Sequence, residues 1–286
     1  MGNWISSLIY NYESIMTPVK PNNIPEIIIP RNRIFTNINH CKKGLIIGIN
    51  YTSNNKKNDD LKGCVNDLVN LKAFLKTRCF FSKGQIKTLE NKEASKENII
   101  KEIENLVLYS NINPQSELWF SYSGHGTSKH SFFEKDNKSE VICPSDYYKN
   151  GLIDDVWLQN NFIKKLHPKT KLFVLMDCCN SGTNMNLPYC YVNNKEQERE
   201  YNNDNQNLCT VLKLSGCRDD QTSADYYDFS DDEYQGALTN SFLKLNHYNK
   251  FYENISSITN DLKDRNFTQR PVLAFSNKGD YEISLI

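Results

Sequence analysis

The stretches Glu117-Leu-Trp-Phe-Ser-Tyr-Ser-Gly-His-Gly126 and Lys171-Leu-Phe-Val-Leu-Met-Asp-Cys-Cys-Asn-Ser-Gly182 decide the fold of this chain. Each begins with an apolar run of the length and composition of a buried strand, and each ends in a polar turn that contains glycine. The first turn carries a histidine, and the second carries two adjacent cysteines. We therefore predict two buried strands that present reactive side chains at their carboxyl ends.

The same kind of patterning extends along the chain. Apolar runs predict further strands at 43–50, 85–89, 210–214 and 270–275, and helical spacing predicts helices at 60–77, 95–107, 154–166, 234–248 and 255–265. This alternation indicates an α/β fold with a mostly parallel central sheet and helices on both faces. Active sites of such sheets lie beyond the carboxyl ends of the strands. We therefore expect His125, Cys179 and Asp219, which follow predicted strands, at one edge of the sheet.

Length and composition exclude several classes of protein. The chain has 286 residues, with 34 basic and 34 acidic side chains, so it suits one large domain and gives no sign of nucleic-acid binding. Its nine cysteines come without a secretory signal or a membrane-spanning apolar run, which predicts free thiols and a cytoplasmic location. The start, Met1-Gly-Asn-Trp-Ile-Ser6, fits the myristoylation pattern for Gly2, and that modification would add membrane association.

The two turns carry the groups that a thiol nucleophile needs. His125 can act as the base that takes the thiol proton, and the backbone amides of Gly126 and Cys179 can face a developing oxyanion. Residue order alone does not choose between Cys178 and Cys179, although the tight turn that follows favours Cys179. Free cysteines are most often inert core residues, and the companion His-Gly turn is what argues against that interpretation here. His130 is a weaker candidate base, which we interpret as part of the loop.

With these motifs the chain resembles the metacaspases, cysteine peptidases of the caspase-like clan, over about residues 43 to 286. The histidine precedes the cysteine by 54 positions, close to the roughly 50 of the caspase rule, but the local caspase pattern Gln-Ala-Cys is absent. The matching segments are Tyr122-Ser-Gly-His-Gly126, Asp177-Cys-Cys-Asn-Ser-Gly182 with Leu187-Pro-Tyr189, and Leu214-Ser-Gly-Cys-Arg-Asp-Asp-Gln-Thr-Ser-Ala-Asp225.

The resemblance implies a caspase-like three-layer sandwich and an endopeptidase that cleaves after arginine or lysine through the pair Cys179 and His125. It implies that Asp177 reads the basic side chain, a pairing that also makes physical sense because a partly buried carboxylate can bind arginine bidentately. The alternative for Asp177 is a cap for the following turn, and Asp67 is equally interpretable as a solvated helix residue. The substrate-binding residues implied are Cys64, Asp67, Ser123, Asp177 and Asp219.

The domain organisation resembles that of type I metacaspases without their long prodomain. We expect an irregular arm at 1–40 with one short strand at 26–29, a large-subunit-like catalytic region at 41–192, a flexible linker at 193–207 and a small-subunit-like region at 208–286. Lys195 and Arg199 in the linker are predicted self-processing sites. The resemblance also implies a monomer that acts on protein or peptide substrates.

Calcium is the cofactor that the resemblance suggests, and here the pattern departs from the family. Two matching positions are Asp154 and Asp155, whereas the other two are occupied by Ser139 and Asn186, with Glu140 beside Ser139 as a substitute ligand. Calcium prefers six to eight oxygen ligands, several of them carboxylates. We therefore expect a weak site and no required cofactor. Asn180, where the family usually has histidine, is expected to cost little activity.

Two other functions compete with a peptidase. One is a catalytically silent caspase-like scaffold that regulates a partner, although such scaffolds tend to lose one member of the catalytic pair, and both are present here. The other is a Cys/His metal site, which the wide separation of the two turns and the lack of a third ligand disfavour.

Overall fold

The computed structural model describes residues 41–52, 60–130, 138–179, 185–192, 195–198, 209–216, 225–228, 232–245 and 250–283. The predicted arm at 1–40, with its strand at 26–29, lies outside these ranges. The strands are β1 Lys42–Gly48, β2 Ile86–Glu90, β3 Glu117–Ser123, β4 Gly126–His130, β5 Lys138–Ile142, β6 Ile153–Asp154, β7 Lys171–Asp177, β8 Tyr189–Val192, β9 Lys195–Glu198, β10 Thr210–Ser215, β11 Asp225–Asp228, β12 Glu233–Gly236 and β13 Val272–Phe275. The helices are α1 Cys64–Thr77, α2 Lys96–Ile112, α3 Tyr147–Asn150, α4 Asp155–Asn161, α5 Ala237–Leu243 and α6 Phe251–Asp264.

One sheet of eight strands, in the order β2-β1-β3-β7-β10-β13-β8-β9, forms the centre of the fold. The five strands from β2 to β10 run parallel, whereas β13, β8 and β9 are joined by antiparallel pairings. The strongly apolar runs found in the sequence supply the parallel strands, because strands covered on both faces need apolar side chains in both directions. The prediction of a mostly parallel sheet is confirmed.

Helices cover both faces of this sheet, as predicted. Alternate residues of β1 enter different cores: Leu45 and Ile47 pack on the face that α2 and α4 cover, and Ile46 packs on the face that α1, α5 and α6 cover. This alternation follows from the two-residue period of a strand. Helix α2 begins at the predicted cap, where the Ser95 hydroxyl accepts a hydrogen bond from the Asn98 N–H at 3.3 Å. The result is a three-layer α/β/α sandwich.

Several elements differ from the sequence predictions. The helix predicted at 234–248 is wrong at its start, because residues 233–236 form β12 and pair with β11 in a hairpin before α5 begins. The helix predicted at 154–166 ends at Asn161 and gives way to a 3-10 turn. Strand β9 lies inside the segment predicted as a flexible linker, and a small sheet of β4, β5 and β6 was not predicted. All of these strands are polar or short, so their apolar periodicity is weak.

The lengths and compositions of the described helices can be compared with those of membrane-spanning helices. None of those in the ranges given above has the length and the apolar character that a bilayer crossing requires.

Candidate active site

The pairing of β3 with β7 brings the two sequence turns together. These neighbouring parallel strands are in register, with Ser123 opposite Asp177 at their carboxyl ends. Just beyond that pair the Gly124 N–H donates to the Asp177 carbonyl at 3.4 Å. His125 and Cys179 each lie two positions past the Ser123–Asp177 pair, so the predicted base and nucleophile leave the same edge of the sheet side by side.

Burial separates the two adjacent cysteines. The Cys178 side chain is only 1% exposed and belongs to the apolar core under α2 and α4, whereas Cys179 is half-buried. Cys179 is therefore partly accessible to solvent, whereas Cys178 faces the protein interior. This exposure favours Cys179 over Cys178 as the nucleophile, and its catalytic role remains a prediction.

Gly126 lies against the cysteine turn so closely that no side chain fits there. A Cβ atom at this position would lie 2.3 Å from the Cys179 carbonyl oxygen and 3.1 Å from the Cys178 Sγ. The glycine thus allows the histidine loop and the cysteine turn to touch through their backbones. Gly126 also begins β4, where it pairs with Ile142. The oxyanion role of the Gly126 and Cys179 amides remains a prediction.

Two buried tyrosines, which sequence reasoning did not single out, hold the backbone of His125. Its N–H donates to the Tyr51 hydroxyl at 3.0 Å, and its carbonyl accepts from the Tyr122 hydroxyl at 2.7 Å and from the Cys143 N–H at 3.1 Å. The Tyr51 ring lies 4.5 Å from the imidazole, centroid to centroid. The peptide group of the predicted base is therefore fixed on both sides.

Two buried carboxylates converge beside the cysteine turn. Asp67 of α1 is 1% exposed and Asp177 of β7 is 6% exposed. The Asp67 Oδ1 accepts from the Gly236 N–H at 2.9 Å, and the Asp177 Oδ2 accepts from the Thr239 N–H at 2.8 Å. A Cβ on Gly236 would lie within 2.3 Å of the Asp177 Oδ2 and 2.5 Å of the Asp67 Oδ2, so both carboxylates face one point.

These contacts decide the alternative for Asp67 that the sequence left open, whereas the two for Asp177 stay open. Asp67 is not a solvated helix residue, because it is buried against the corner between β12 and α5. Asp177 accepts a hydrogen bond from α5, a segment 62 positions further along the chain. Gly236 and Thr239 were missed, since no local motif marks a residue whose partner is so distant in sequence.

Two other predicted pocket residues lie at the same edge of the sheet. Ser123 is buried and pairs with Gly48 in the register of β1 and β3. Cys64, also buried, begins α1 directly over Gly48, where a Cβ would lie 2.3 Å from the Cys64 carbonyl oxygen. Their roles in binding remain predictions, and Asp219 lies outside the described residues.

The residues predicted to bind calcium are engaged with protein donors. The Asp155 carboxylate accepts from the Ser139 hydroxyl at 2.5 Å, from the Val156 N–H at 2.8 Å and from the Glu140 N–H at 3.2 Å. Burial raises the pKa of Asp155 above its ordinary value, and these hydrogen bonds only partly oppose that shift. Asp154 caps α4 by accepting from the Trp157 N–H at 2.7 Å.

These contacts form a closed polar cluster in which both oxygens of Asp155 already have protein donors. The fourth position of the set, Asn186, is buried and contacts α4 through its backbone carbonyl, which accepts from the Gln159 amide at 3.1 Å. Among the residues that the structure describes, no group of three or more histidine, cysteine, aspartate or glutamate side chains is arranged to hold a metal ion. The described donors therefore fit calcium poorly.

The other sequence predictions concern modification and cysteine chemistry. Lys195 is the first residue of β9, whereas Arg199, Gly2 and Asn180 lie outside the described residues. All eight cysteines in the described ranges are free thiols. Burial raises the pKa of Cys79 and of Cys209 to about 12, so these two remain protonated and unreactive at neutral pH.

Comparison with known families agrees with the site. The sequence profile of the metacaspase, peptidase C14 domain matches residues 42–188, which include both turns. The chain belongs to the metacaspase family. Membership places it among the cysteine-type endopeptidases.

Individual relatives cover this metacaspase to different extents. Metacaspase-1 of Plasmodium falciparum is 34% identical over 64% of this chain and 30% of its own length, and metacaspase-2 of Arabidopsis thaliana is 32% identical over 71% and 51%. Metacaspase-1 of Candida albicans is 27% identical over 89% of this chain and 69% of its own length. A crystal structure from Geobacter sulfurreducens superposes with a TM-score of 0.59 over 85% of this chain and 97% of that one at 18% identity, which supports the fold alone.

Gly126→Ala tests the close contact between the two turns of this metacaspase. The added methyl group would meet the Cys179 carbonyl, which is backbone and cannot move aside cheaply. We expect the peptidase kcat/KM to fall by about a hundredfold or more, because displacement of reacting groups by an ångström has effects of that order. The measurement is steady-state cleavage of an arginyl peptide, together with a thermal melt.

Gly84→Ala is the matched control, since a Cβ there would meet nothing within 4 Å. Wild-type activity in Gly126→Ala would show that the two turns do not need this contact.

Proposed function

We propose that this protein hydrolyses peptide bonds after arginine or lysine, with Cys179 as nucleophile and His125 as base. The observation that carries the proposal is the convergence of Asp67 and Asp177 at the Gly236 corner, beside the turn that holds Cys179. Two buried carboxylates that lie so close together make the negative potential of this corner strong, which favours a cationic group beside them. Asp177 and Cys179 lie at the end of the same strand, so a basic side chain held there keeps its own carbonyl group near the thiol.

The reaction follows from the two turns. His125 takes the proton of the Cys179 thiol, and the thiolate attacks the carbonyl carbon to form a C–S bond and a tetrahedral oxyanion. When this intermediate collapses, the C–N bond breaks and the imidazolium gives its proton to the departing amine. Water, deprotonated by His125, then attacks the thioester, which releases the acid and restores the thiol. Backbone amides at Gly126 and Cys179 would stabilise the oxyanion in both steps.

Electrostatics favour a basic residue over a neutral one in this pocket. Asp67 and Asp177 are both buried and accept hydrogen bonds from backbone donors of the β12–α5 corner. Two buried negative charges attract a positive charge strongly, because the surroundings screen them less than water does. A guanidinium group can bind a carboxylate through two parallel hydrogen bonds. A neutral side chain of similar size, such as citrulline, supplies no charge for the two carboxylates to attract.

Asp177→Asn separates charge from shape in the pocket. We expect kcat/KM for an arginyl peptide to fall by about a hundredfold, because loss of one partner of a buried charge pair typically costs 2–5 kcal/mol. The preference for arginine over citrulline should fall with it. The measurement is kcat/KM for matched arginyl, lysyl and citrullyl peptides.

Asp264→Asn, an exposed acid-to-amide change at the end of α6, is the matched control, and Cys179→Ala sets the background. Unchanged arginine preference in Asp177→Asn would contradict the assignment of the pocket. A folded wild-type protein that cleaves none of the peptides would favour the scaffold alternative.

We propose that activity does not depend on calcium. The proposal is supported by the protein donors that already occupy the Asp155 carboxylate and by Ser139, which stands where the family resemblance implies a carboxylate. We expect arginyl-peptide cleavage in EGTA and in millimolar calcium to agree within about twofold, since a site with few carboxylates binds calcium weakly. Millimolar magnesium is the control for ionic strength. Activation by calcium alone, by about tenfold or more, would contradict this proposal.

We further propose self-processing at Lys195 and Arg199. Strand β9, which begins at Lys195, is the last strand of the sheet among the residues that the structure describes. Intact-mass measurement of the wild type should show cleavage after these residues that is absent in Cys179→Ala. Identical uncleaved masses in both proteins would contradict the proposal.

We also propose that the protein is a monomer and that it is cytoplasmic or, through a myristoyl group on Gly2, membrane-associated. The sequence of β9, Lys-Glu-Gln-Glu, supports a monomer, because charged residues on an edge strand disfavour pairing with a second sheet. Myristoylation of Gly2, and the cytoplasmic or membrane-associated location that depends on it, would be visible in the mass of the N-terminal peptide isolated from a eukaryotic host.

A further inference from the structure

The loop that carries His125 is built over two tyrosine hydroxyl groups that have no assigned role in the chemistry. Tyr51 follows β1 and Tyr122 lies in β3, the neighbouring strand, and both side chains are buried. Their hydroxyl oxygens lie 2.9 Å apart. A Cβ on Gly124 would lie 2.7 Å from the Tyr122 hydroxyl oxygen and 2.9 Å from that of Tyr51, so this glycine lets the loop close directly over the pair.

The two hydroxyls form hydrogen bonds with backbone N–H and carbonyl groups of His125 and of Cys143. Tyr51 accepts from the His125 N–H at 3.0 Å and donates to the Cys143 carbonyl at 2.6 Å. Tyr122 donates to the His125 carbonyl at 2.7 Å and accepts from the Cys143 N–H at 3.2 Å. Phenylalanine would fill the same space but would leave these buried N–H and carbonyl groups with fewer partners. The hydroxyls therefore serve the backbone of His125.

The Tyr51 ring contributes separately from its hydroxyl. It lies 4.5 Å from the imidazole at an interplanar angle of 32°, and Tyr147 packs against it edge-on at 6.2 Å. During catalysis the imidazole carries an extra proton, and the face of an aromatic ring attracts a cation at this distance. Tyr51 adopts a left-handed backbone conformation, with φ +58°, which is uncommon for a bulky residue and is a frequent sign of functional constraint.

Burial keeps both hydroxyl groups protonated. Desolvation raises the pKa of Tyr51 and of Tyr122 well above the ordinary value for tyrosine. Both remain available as hydrogen-bond donors throughout the range in which a cysteine peptidase works.

We propose that Tyr51 and Tyr122 are positioning residues for the base: their hydroxyls fix the His125 peptide, and the Tyr51 ring holds the imidazole and stabilises its protonated form. This proposal rests on the proposed function of His125. It predicts a loss in the chemical step without a loss in substrate binding, because neither tyrosine belongs to the pocket formed by Asp67 and Asp177.

The test compares kcat and KM of Tyr51→Phe, Tyr122→Phe and Tyr51→Leu on an arginyl peptide. We expect each phenylalanine variant to lose about tenfold in kcat with little change in KM, because small errors in placement of a reacting group affect the chemical step. Tyr51→Leu should lose about another threefold to fivefold, since it also removes the aromatic face beside the imidazolium.

Two control variants separate positioning from general destabilisation. Tyr109→Phe removes the hydroxyl of a partly buried tyrosine of α2, and Ile103→Val removes a methyl group from the same core without touching the histidine loop. Both should retain the wild-type kcat. If Tyr51→Phe and Tyr122→Phe also retain it, or if Ile103→Val loses as much, the proposal is wrong.

Hydrogen exchange of the peptide that spans 121–128 gives a readout that needs no activity. We expect faster exchange in this peptide for Tyr51→Phe and Tyr122→Phe, and wild-type exchange for both controls. If the wild type is inactive but the variants show this exchange pattern, the proposed function is overturned, whereas the positioning of the His125 backbone by Tyr51 and Tyr122 is not. Unchanged exchange in both phenylalanine variants would overturn the positioning role of the two tyrosines.

Discussion

The parallel pairing of β3 with β7 is the interaction on which the rest of the site depends. It sets Ser123 opposite Asp177, so the turns that follow the two strands begin at the same edge of the sheet. A shift of one residue in this register would turn the side chains of one strand to the opposite face of the sheet. The apolar residues that fill both cores prevent such a shift, since Phe120 and Val174 face one core while Trp119 and Phe173 face the other. Core packing thus fixes the distance between the two turns.

The two carboxylates of the proposed pocket are costly to bury, because a charged group loses its hydration when it leaves water. Asp67 and Asp177 are buried from water, and one backbone N–H reaches each from the β12–α5 corner. Under the proposed function, a substrate cation bound beside them would be attracted by both charges, which is a reason to expect a preference for arginine or lysine. The same corner is crowded, because Gly236 leaves no room for a side chain between the two carboxylates.

The sequence predicts those parts of the structure that are strongly apolar and continuous. β3, β7 and β10 were found because they are buried on both faces, and the His-Gly and Cys-Asn-Ser-Gly turns were found because they follow those strands. The hairpin of β11 and β12 was missed, since residues 233–236 have little apolar periodicity and lead directly into the short helix α5. Contacts between distant segments were also invisible. The hydrogen bond from Gly236 to Asp67 spans 169 positions, and that from His125 to Tyr51 spans 74. No local pattern marks the partners in either case.

Covalent labelling tests most directly whether Cys179 is the nucleophile beside a pocket for basic residues. The native protein would be treated with an arginyl acyloxymethyl ketone, digested, and sequenced by fragment-ion mass spectrometry across residues 171–190. The adduct is expected on Cys179, with Cys178 unmodified, and it should be absent in Cys179→Ala and suppressed by a competing arginyl peptide. An adduct on Cys178, or labelling that persists in Cys179→Ala, would contradict the assignment of the nucleophile and of the turn that presents it.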